Sequence, residues 1–227
     1  MKTLHEVDPA IYSKNYFSGE NSQYPANNSY LNPESDYRFK FQDLLGWIST
    51  RVKSGKILDI GQGPGHLNYW SRKRELPFKV FGVDISPILF SKNNSNKNAA
   101  DALSTNLCFS SDSFDGALIS DMLEHIDPEN AKKTLAETNR VLKRGGWLFL
   151  NIPNAQAWST ASDKDPGHVW LPTIEEIKKI IIESGFKSNS IGHYTRGFPF
   201  SLIFRKVFSQ DFHFPVLGRS IFICAKK

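Results

Sequence analysis

The sequence predicts an α/β fold with a mostly parallel sheet and helices on both faces. Two segments and one pattern carry that expectation. Residues 57–65 read Ile-Leu-Asp-Ile-Gly-Gln-Gly-Pro-Gly, an apolar strand running straight into glycines at alternate positions. Residues 80–84 read Val-Phe-Gly-Val-Asp, a second apolar strand ending on a carboxylate. Beyond them, short apolar runs alternate with helical stripes to the end of the chain, the pattern of βα units. Glycines so placed suit a backbone passing close to a ligand, and in such a sheet a strand-end acid beside the glycine turn can hold a ribose diol.

The elements follow in order. Asp36 to Val52 has apolar residues at Phe41, Leu44, Leu45 and Ile48, a helical stripe facing the sheet. Strand one is Lys56 to Ile60, and a helix from His66 to about Glu75 ends on Arg72-Lys73-Arg74, which complements its dipole. Strand two is Phe78 to Val83. Ser86-Pro87 supplies an N-cap and first-turn proline for a short helix that decays into an asparagine-rich exit at residues 93–98. A third strand is expected near Leu103 to Phe109, and a fourth over Gly116 to Ser120. Asp127-Pro128 opens a helix to about Lys143, closed by Gly145-Gly146. Strand five is Trp147 to Ile152. Thr173-Ile-Glu-Glu176 is a capping box for a helix reaching Glu183 and stopped by Gly185. Strands over about Ser190 to Tyr194 and over Ser220 to Ala225 complete the sheet.

At 227 residues, one α/β domain is the default. Residues 1–35 are polar yet rich in tyrosine (Tyr12, Tyr16, Tyr24, Tyr30). Disordered segments are poor in aromatics, so an arm that caps the site is the sharper reading. Residues 196–218 hold six phenylalanines (Phe198, Phe200, Phe204, Phe208, Phe212, Phe214) with Arg205, Lys206 and His213 between them. This insert reads as a core helix, as the wall of an apolar acceptor pocket, or as a peripheral membrane contact. Cys108 and Cys224 lie in apolar runs and suit small buried thiols in a reducing compartment. No cysteine–histidine cluster has zinc spacing, so no metal is expected. The amino terminus lacks a signal-peptide core, and no run approaches the ~18 apolar residues of a membrane span, so a cytoplasmic protein is expected. Net charge is +5, with nine basic and three acidic residues over 51–100. That excess keeps a nucleic-acid substrate open, but no long basic tail favours it.

The glycine spacing narrows the ligand. A dinucleotide fingerprint is G-x-G-x-x-G, whereas Gly61, Gly63 and Gly65 give G-x-G-x-G, with His66 where a dinucleotide site has glycine. This spacing, preceded by Asp59, resembles the first motif of the class I S-adenosylmethionine-dependent methyltransferases. Residues 112–126 (Asp-Ser-Phe-Asp-Gly-Ala-Leu-Ile-Ser-Asp-Met-Leu-Glu-His-Ile) and the Val-Leu-Lys-Arg-Gly-Gly turn at 141–146 are similar to runs of the type 11 methyltransferase family. So is the stretch from His168 to Phe186. Together these cover about residues 55–190. The resemblance implies a Rossmann-like seven-stranded sheet whose last strand is antiparallel. It also implies S-adenosylmethionine as cofactor and S-adenosylhomocysteine as product.

The same resemblance assigns Asp59, Gly61, Gln62, Gly63 and Gly65 to the cofactor turn, and Asp84 with Ile85 to the ribose. It gives Asp101 and Ala102 to the adenine, and Ser120 and Asp121 to the methionine moiety. Asp101 stands six residues before Leu107 rather than the family's four, and Gln62 replaces a frequent cysteine. Candidate bases are His168, in the loop after strand five, and His125, in the Leu-Glu-His run, with Glu124 and His193 behind them. A small-molecule or glycan acceptor methylated on oxygen is expected. An RNA methyltransferase and a non-catalytic regulatory protein that binds the cofactor are the alternatives. The sequence leaves acceptor identity and oligomeric state open.

Overall fold

The computed structural model describes residues 32–34, 38–86, 99–101, 103–157, 167–196 and 220–227. The helices are α1 (Arg38–Arg51), α2 (His66–Lys73), α3 (Pro128–Val141) and α4 (Ile174–Glu183). The strands are β1 (Gly55–Ile60), β2 (Phe78–Asp84), β3 (Ala99–Asp101), β4 (Phe114–Ser120), β5 (Leu142–Pro153), β6 (Gly192–Arg196) and β7 (Ser220–Lys226). They form one sheet in the order β3-β2-β1-β4-β5-β7-β6. Pairing is parallel from β3 through β5, and β7 lies antiparallel between β5 and β6. Six strands are substantial, and β3 is only a three-residue edge segment.

Alternation along the strands sends side chains into two cores, as expected of a sheet covered on both faces. Ala117, Ile119, Leu148, Leu150, Ile221 and Ile223 pack with Leu135 of α3 and with Ile177 and Ile181 of α4. Leu118, Phe149, Phe222 and Cys224 point the other way, onto Leu44, Leu45 and Ile48 of α1 and Leu67 of α2. The helical stripe read in α1 is therefore real. Trp47 from α1 stacks on Phe222, with ring centroids 5.6 Å apart, and meets the edge of Phe149 at 5.3 Å.

Helix starts follow their local chemistry. The Asp127 carboxylate accepts from the Glu129 and Asn130 amides at 2.9 and 3.0 Å, with Pro128 in the first turn. Thr173 and Glu176 close the expected capping box on α4, and Gly185 follows that helix at φ +94°.

Three expectations are corrected. The third strand lies at Ala99–Asp101, not near Leu103 to Phe109. Side chains of α3 satisfy the backbone of that later segment instead: Glu137 accepts from the Leu107 amide at 2.9 Å, and Arg140 donates to the Leu107 and Phe109 carbonyls at 3.0 and 2.8 Å. Gly145-Gly146 does not cap α3, which ends at Val141 with Leu142 already extended. The pair sits inside β5, where the register with β4 jumps between Phe114↔Leu142 and Gly116↔Trp147. A bulge there sets residue 146 against backbone, so that a Cβ would lie 2.9 Å from the Lys143 carbonyl oxygen. Cys108 is exposed, because its segment is a loop; Cys224 is buried in β7, and both are free thiols.

The arm at 1–35, apart from 32–34, and the phenylalanine-rich insert at 196–218, apart from the Arg196 backbone, lie outside the described residues. So do the short helix after Ser86-Pro87 and Ala102. Among the described residues, no helix is long and apolar enough to cross a membrane.

Candidate functional site

Strand order reverses between β1 and β4, since β2 lies on one side of β1 and β5 lies beyond β4. In open α/β sheets, the crevice at the carboxyl ends of the strands flanking such a reversal is where ligands bind. The glycine turn lies there. Gly61, Gly63 and Gly65 have φ of +70°, +54° and +81°, the left-handed region that side chains other than glycine disfavour. The amides of Gly61 and Gln62 both donate to the Val83 carbonyl, at 2.9 and 3.1 Å, which fastens the turn to the end of β2. Gln62 is buried and lies over Gly82: a Cβ at residue 82 would be 1.8 Å from Gln62 Oε1. His66 opens α2 with its ring 4.9 Å from that of Phe41.

Asp84 ends β2 half-buried. Its Oδ2 accepts from the Gly63 amide at 2.8 Å and its Oδ1 from the Ser86 amide at 2.9 Å. The strand-end acid is thus part of the turn's construction as well as a candidate ribose holder. Ile85 follows it, half-buried. The β2–β3 register places the Asp101 backbone opposite Asp84.

Asp59 is 3% exposed. Burial and then the charge of Asp84 push its carboxyl up to about 7, while the Lys40 ammonium pulls it down. Lys40, on α1, is a candidate site residue without a signal in the sequence, and it forms an ion pair with Asp121. Asp121 follows β4 at φ +50°. Asn151 of β5 holds it in place, donating from Nδ2 to Asp121 Oδ1 at 2.5 Å and to Ser120 Oγ at 3.2 Å, while the Asp121 amide donates to the Asn151 carbonyl at 2.9 Å. Met122 lies against Gly61, where a Cβ would meet its Cγ at 2.7 Å. Lys40 and Asn151 carried no sequence signal: Lys40 is one of several polar residues of α1, and Asn151 belongs to no motif at the end of β5.

The structure also brings the two candidate bases together. His125 ends the 3₁₀ turn Leu123–His125 after β4, and its ring stands edge-on to that of His168 with centroids 4.9 Å apart. His193 lies on the outer strand β6, beyond β7.

The family described as a methyltransferase domain matches residues 34–190. An uncharacterised protein of Methanocaldococcus jannaschii is 33% identical over 107 residues, which is 46% of this chain and 48% of that relative. The chain therefore matches about half the length of that curated relative. Among solved structures, a SAM-dependent methyltransferase from Archaeoglobus fulgidus is similar at a TM-score of 0.69 and 18% identity, over 85% of this chain and 95% of that one. The Burkholderia thailandensis 1,6-didemethyltoxoflavin-N1-methyltransferase, solved with 1,6-didemethyltoxoflavin and S-adenosylhomocysteine bound, is similar at 0.63 and 16% identity. That match covers 96% of this chain and 86% of the other. At such identities the likeness is one of fold.

Proposed function

This chain belongs to the methyltransferase-domain family, and from that premise we propose that it transfers a methyl group from S-adenosylmethionine to a small-molecule or glycan acceptor, on oxygen. One observation carries the choice of cofactor. The Asp59 carboxyl, raised to about 7 mainly by burial, gains a counter-charge from a ligand bearing ammonium and sulfonium groups and gains nothing from a pyrophosphate. The donor set therefore fits S-adenosylmethionine.

In this reading Asp59, Gly61, Gln62, Gly63 and Gly65 hold the methionine end, together with Ser120 and Asp121. Asp84 and Ile85 take the ribose, and Asp101 with Ala102 the adenine. Lys40 balances Asp121 until the ligand's own cations arrive. The bound cofactor supplies an electrophilic methyl carbon for in-line displacement. The chain supplies alignment, from which much of the acceleration comes, and a place for the acceptor's proton. A neutral amine needs no base, whereas a hydroxyl does. The pairing of His125 with His168 beside the strand ends is what favours oxygen. His125 Nδ1 donates to the Gly167 carbonyl at 2.9 Å, which leaves Nε2 as its basic nitrogen. Two free thiols suit a reducing, cytoplasmic setting.

Calorimetry with S-adenosylhomocysteine tests the cofactor assignment. Labelled S-adenosylmethionine with cell extract, followed by mass spectrometry of the labelled product, tests the acceptor. Binding of NAD in place of S-adenosylhomocysteine would overturn the first, and a methyl group on nitrogen would overturn the oxygen assignment.

A further inference from the structure

Past the carboxyl ends of β4 and β5, three side chains from two distant stretches converge. Glu124 and His125 lie on the 3₁₀ turn, and His168 lies 43 residues beyond His125 in the segment leading to α4. One carboxylate oxygen and one nitrogen from each imidazole lie within 4.8 Å of one another. Glu124 is 0% exposed and His125 8%, while His168 is half-buried.

We propose that Glu124, His125 and His168 form a binding site for one divalent transition-metal cation of the zinc or cobalt type. Two imidazoles and a carboxylate make a three-ligand set that leaves a fourth position open, the arrangement of catalytic zinc sites. Imidazole ligands select such metals over magnesium and calcium. Donors about 2.1 Å from a tetrahedral cation stand roughly 3.4 Å apart, so the observed spread closes with modest side-chain rotation.

The surroundings are those of a built site. The His125 Nδ1–H donates to the Gly167 carbonyl at 2.9 Å, the outer hydrogen bond that orients a metal-binding histidine and presents its Nε2. The amides of Val169 and Trp170 both donate to the Glu124 carbonyl, at 2.9 and 3.2 Å. His168 is therefore clamped on both flanks to the very residues that carry the other two ligands.

Cation binding stands on these residues alone. Its use rests on the methyl-transfer reading: an acceptor hydroxyl in the open position would give up its proton to solvent more readily, and its oxygen would then take the methyl carbon as the carbon–sulfur bond breaks and S-adenosylhomocysteine leaves.

The test uses the full chain, stripped with chelator and dialysed, without cofactor or acceptor. Co2+ is titrated by visible absorption and Zn2+ by calorimetry. One equivalent should bind, and the cobalt bands should be those of a four- or five-coordinate nitrogen–oxygen site. His168→Ala, at a half-buried position, should weaken binding at least tenfold and bleach the bands, with S-adenosylhomocysteine affinity unchanged. Glu124→Gln should do the same where its melting curve shows a folded protein, and His193→Ala should bind like wild type. Absence of a one-equivalent site in the wild type, or equal binding by His168→Ala, would overturn the proposal and leave His125 and His168 as a metal-free proton relay. S-adenosylhomocysteine binding without Co2+ binding would sink the metal site alone. Co2+ binding without S-adenosylhomocysteine binding would sink the cofactor reading alone.

Discussion

Lowering the pH should weaken cofactor binding through Asp59. In the ligand-free protein, burial, the charge of Asp84 and the opposing Lys40 together set its carboxyl at about 7, against an ordinary 3.8. A ligand that brings ammonium and sulfonium groups binds the carboxylate form and returns its pKa toward the usual range. Below about pH 7, each binding event must then release a proton, and affinity falls about tenfold per pH unit, or ~1.4 kcal/mol. Between about pH 7.5 and 5.5 the loss is roughly 30-fold, and above about pH 8 the profile is flat.

Calorimetry in buffers of different ionisation heat counts the proton directly. For the ligand-free protein the sign reverses. A raised acid pKa contributes stability that is fully present below about pH 4 and is lost as pH rises through about 7, on the order of 4 kcal/mol over that window. Asp59→Asn should therefore flatten the binding profile, lower affinity at neutral pH, and raise the melting midpoint by several degrees, at about 2–4 °C per kcal/mol for a chain of this size. Affinity that is independent of pH, with no proton released, would refute the reasoning. So would a ligand-free Asp59→Asn protein that melts below wild type at neutral pH.

The neighbouring residues give linked expectations. Lys40→Ala removes the charge that lowers the Asp59 pKa, so the midpoint of the binding profile should move to higher pH; an unmoved midpoint would place Lys40 outside the site. Asp84→Ala loses the bonds to the Gly63 and Ser86 amides and any to the diol. Charge-assisted bonds are worth about 1.5–3 kcal/mol each before water compensates, so affinity for S-adenosylhomocysteine should fall at least ~tenfold together with the melting temperature; a lower melting temperature with unchanged affinity would leave Asp84 a structural role only. Gly82→Ala puts a methyl group where Gln62 Oε1 lies, so cofactor affinity should drop severalfold, and adding Gln62→Ala should restore most of it. Failure of that rescue in calorimetry would show that Gln62 does not transmit the effect.

What could be read from the sequence depended on how local each constraint was. The β1–turn–α2–β2 unit is legible because three left-handed backbone positions demand glycine, and because apolar periodicity fixes the strands on either side. The caps of α3 and α4 are legible for the same reason, since Asp127-Pro128 and Thr173/Glu176 act within one turn. The third strand misled because Leu107, Cys108 and Phe109 look like a buried strand. Arg140 and Glu137, about thirty residues away, decide otherwise by taking up that segment's backbone groups. Lys40 was invisible because its partner, Asp121, is 81 residues distant. The meeting of Glu124 and His125 with His168 was invisible because backbone bonds from Val169 and Trp170, not spacing, create it.

The charge at the strand reversal carries one more prediction, about what the crevice should refuse. Asp59, Asp84 and Asp121 come from the ends of three strands or the residues just after them, and among the described residues the Lys40 ammonium pairs with Asp121 and acts on Asp59. A dinucleotide would add a pyrophosphate to that excess of carboxylates. At an effective dielectric near 20, each added like-charge pair at roughly 8 Å costs about 2 kcal/mol. With more than one pair involved, affinity falls by two orders of magnitude or more. S-adenosylmethionine arrives instead with two cations against one carboxylate. The dinucleotide alternative left open by a glycine-rich βα turn is therefore disfavoured by the field of the site, quite apart from His66 standing where the third glycine would be. Competition calorimetry should show NAD failing to displace S-adenosylhomocysteine in buffer of low ionic strength, where the repulsion is strongest. It should still fail at about 0.5 M salt, because the partly buried carboxylates are poorly screened. Displacement by NAD at either salt concentration would mean that the three carboxylates are not arrayed toward the ligand, and the assignment of Asp59 and Asp121 to the cofactor would fall with it.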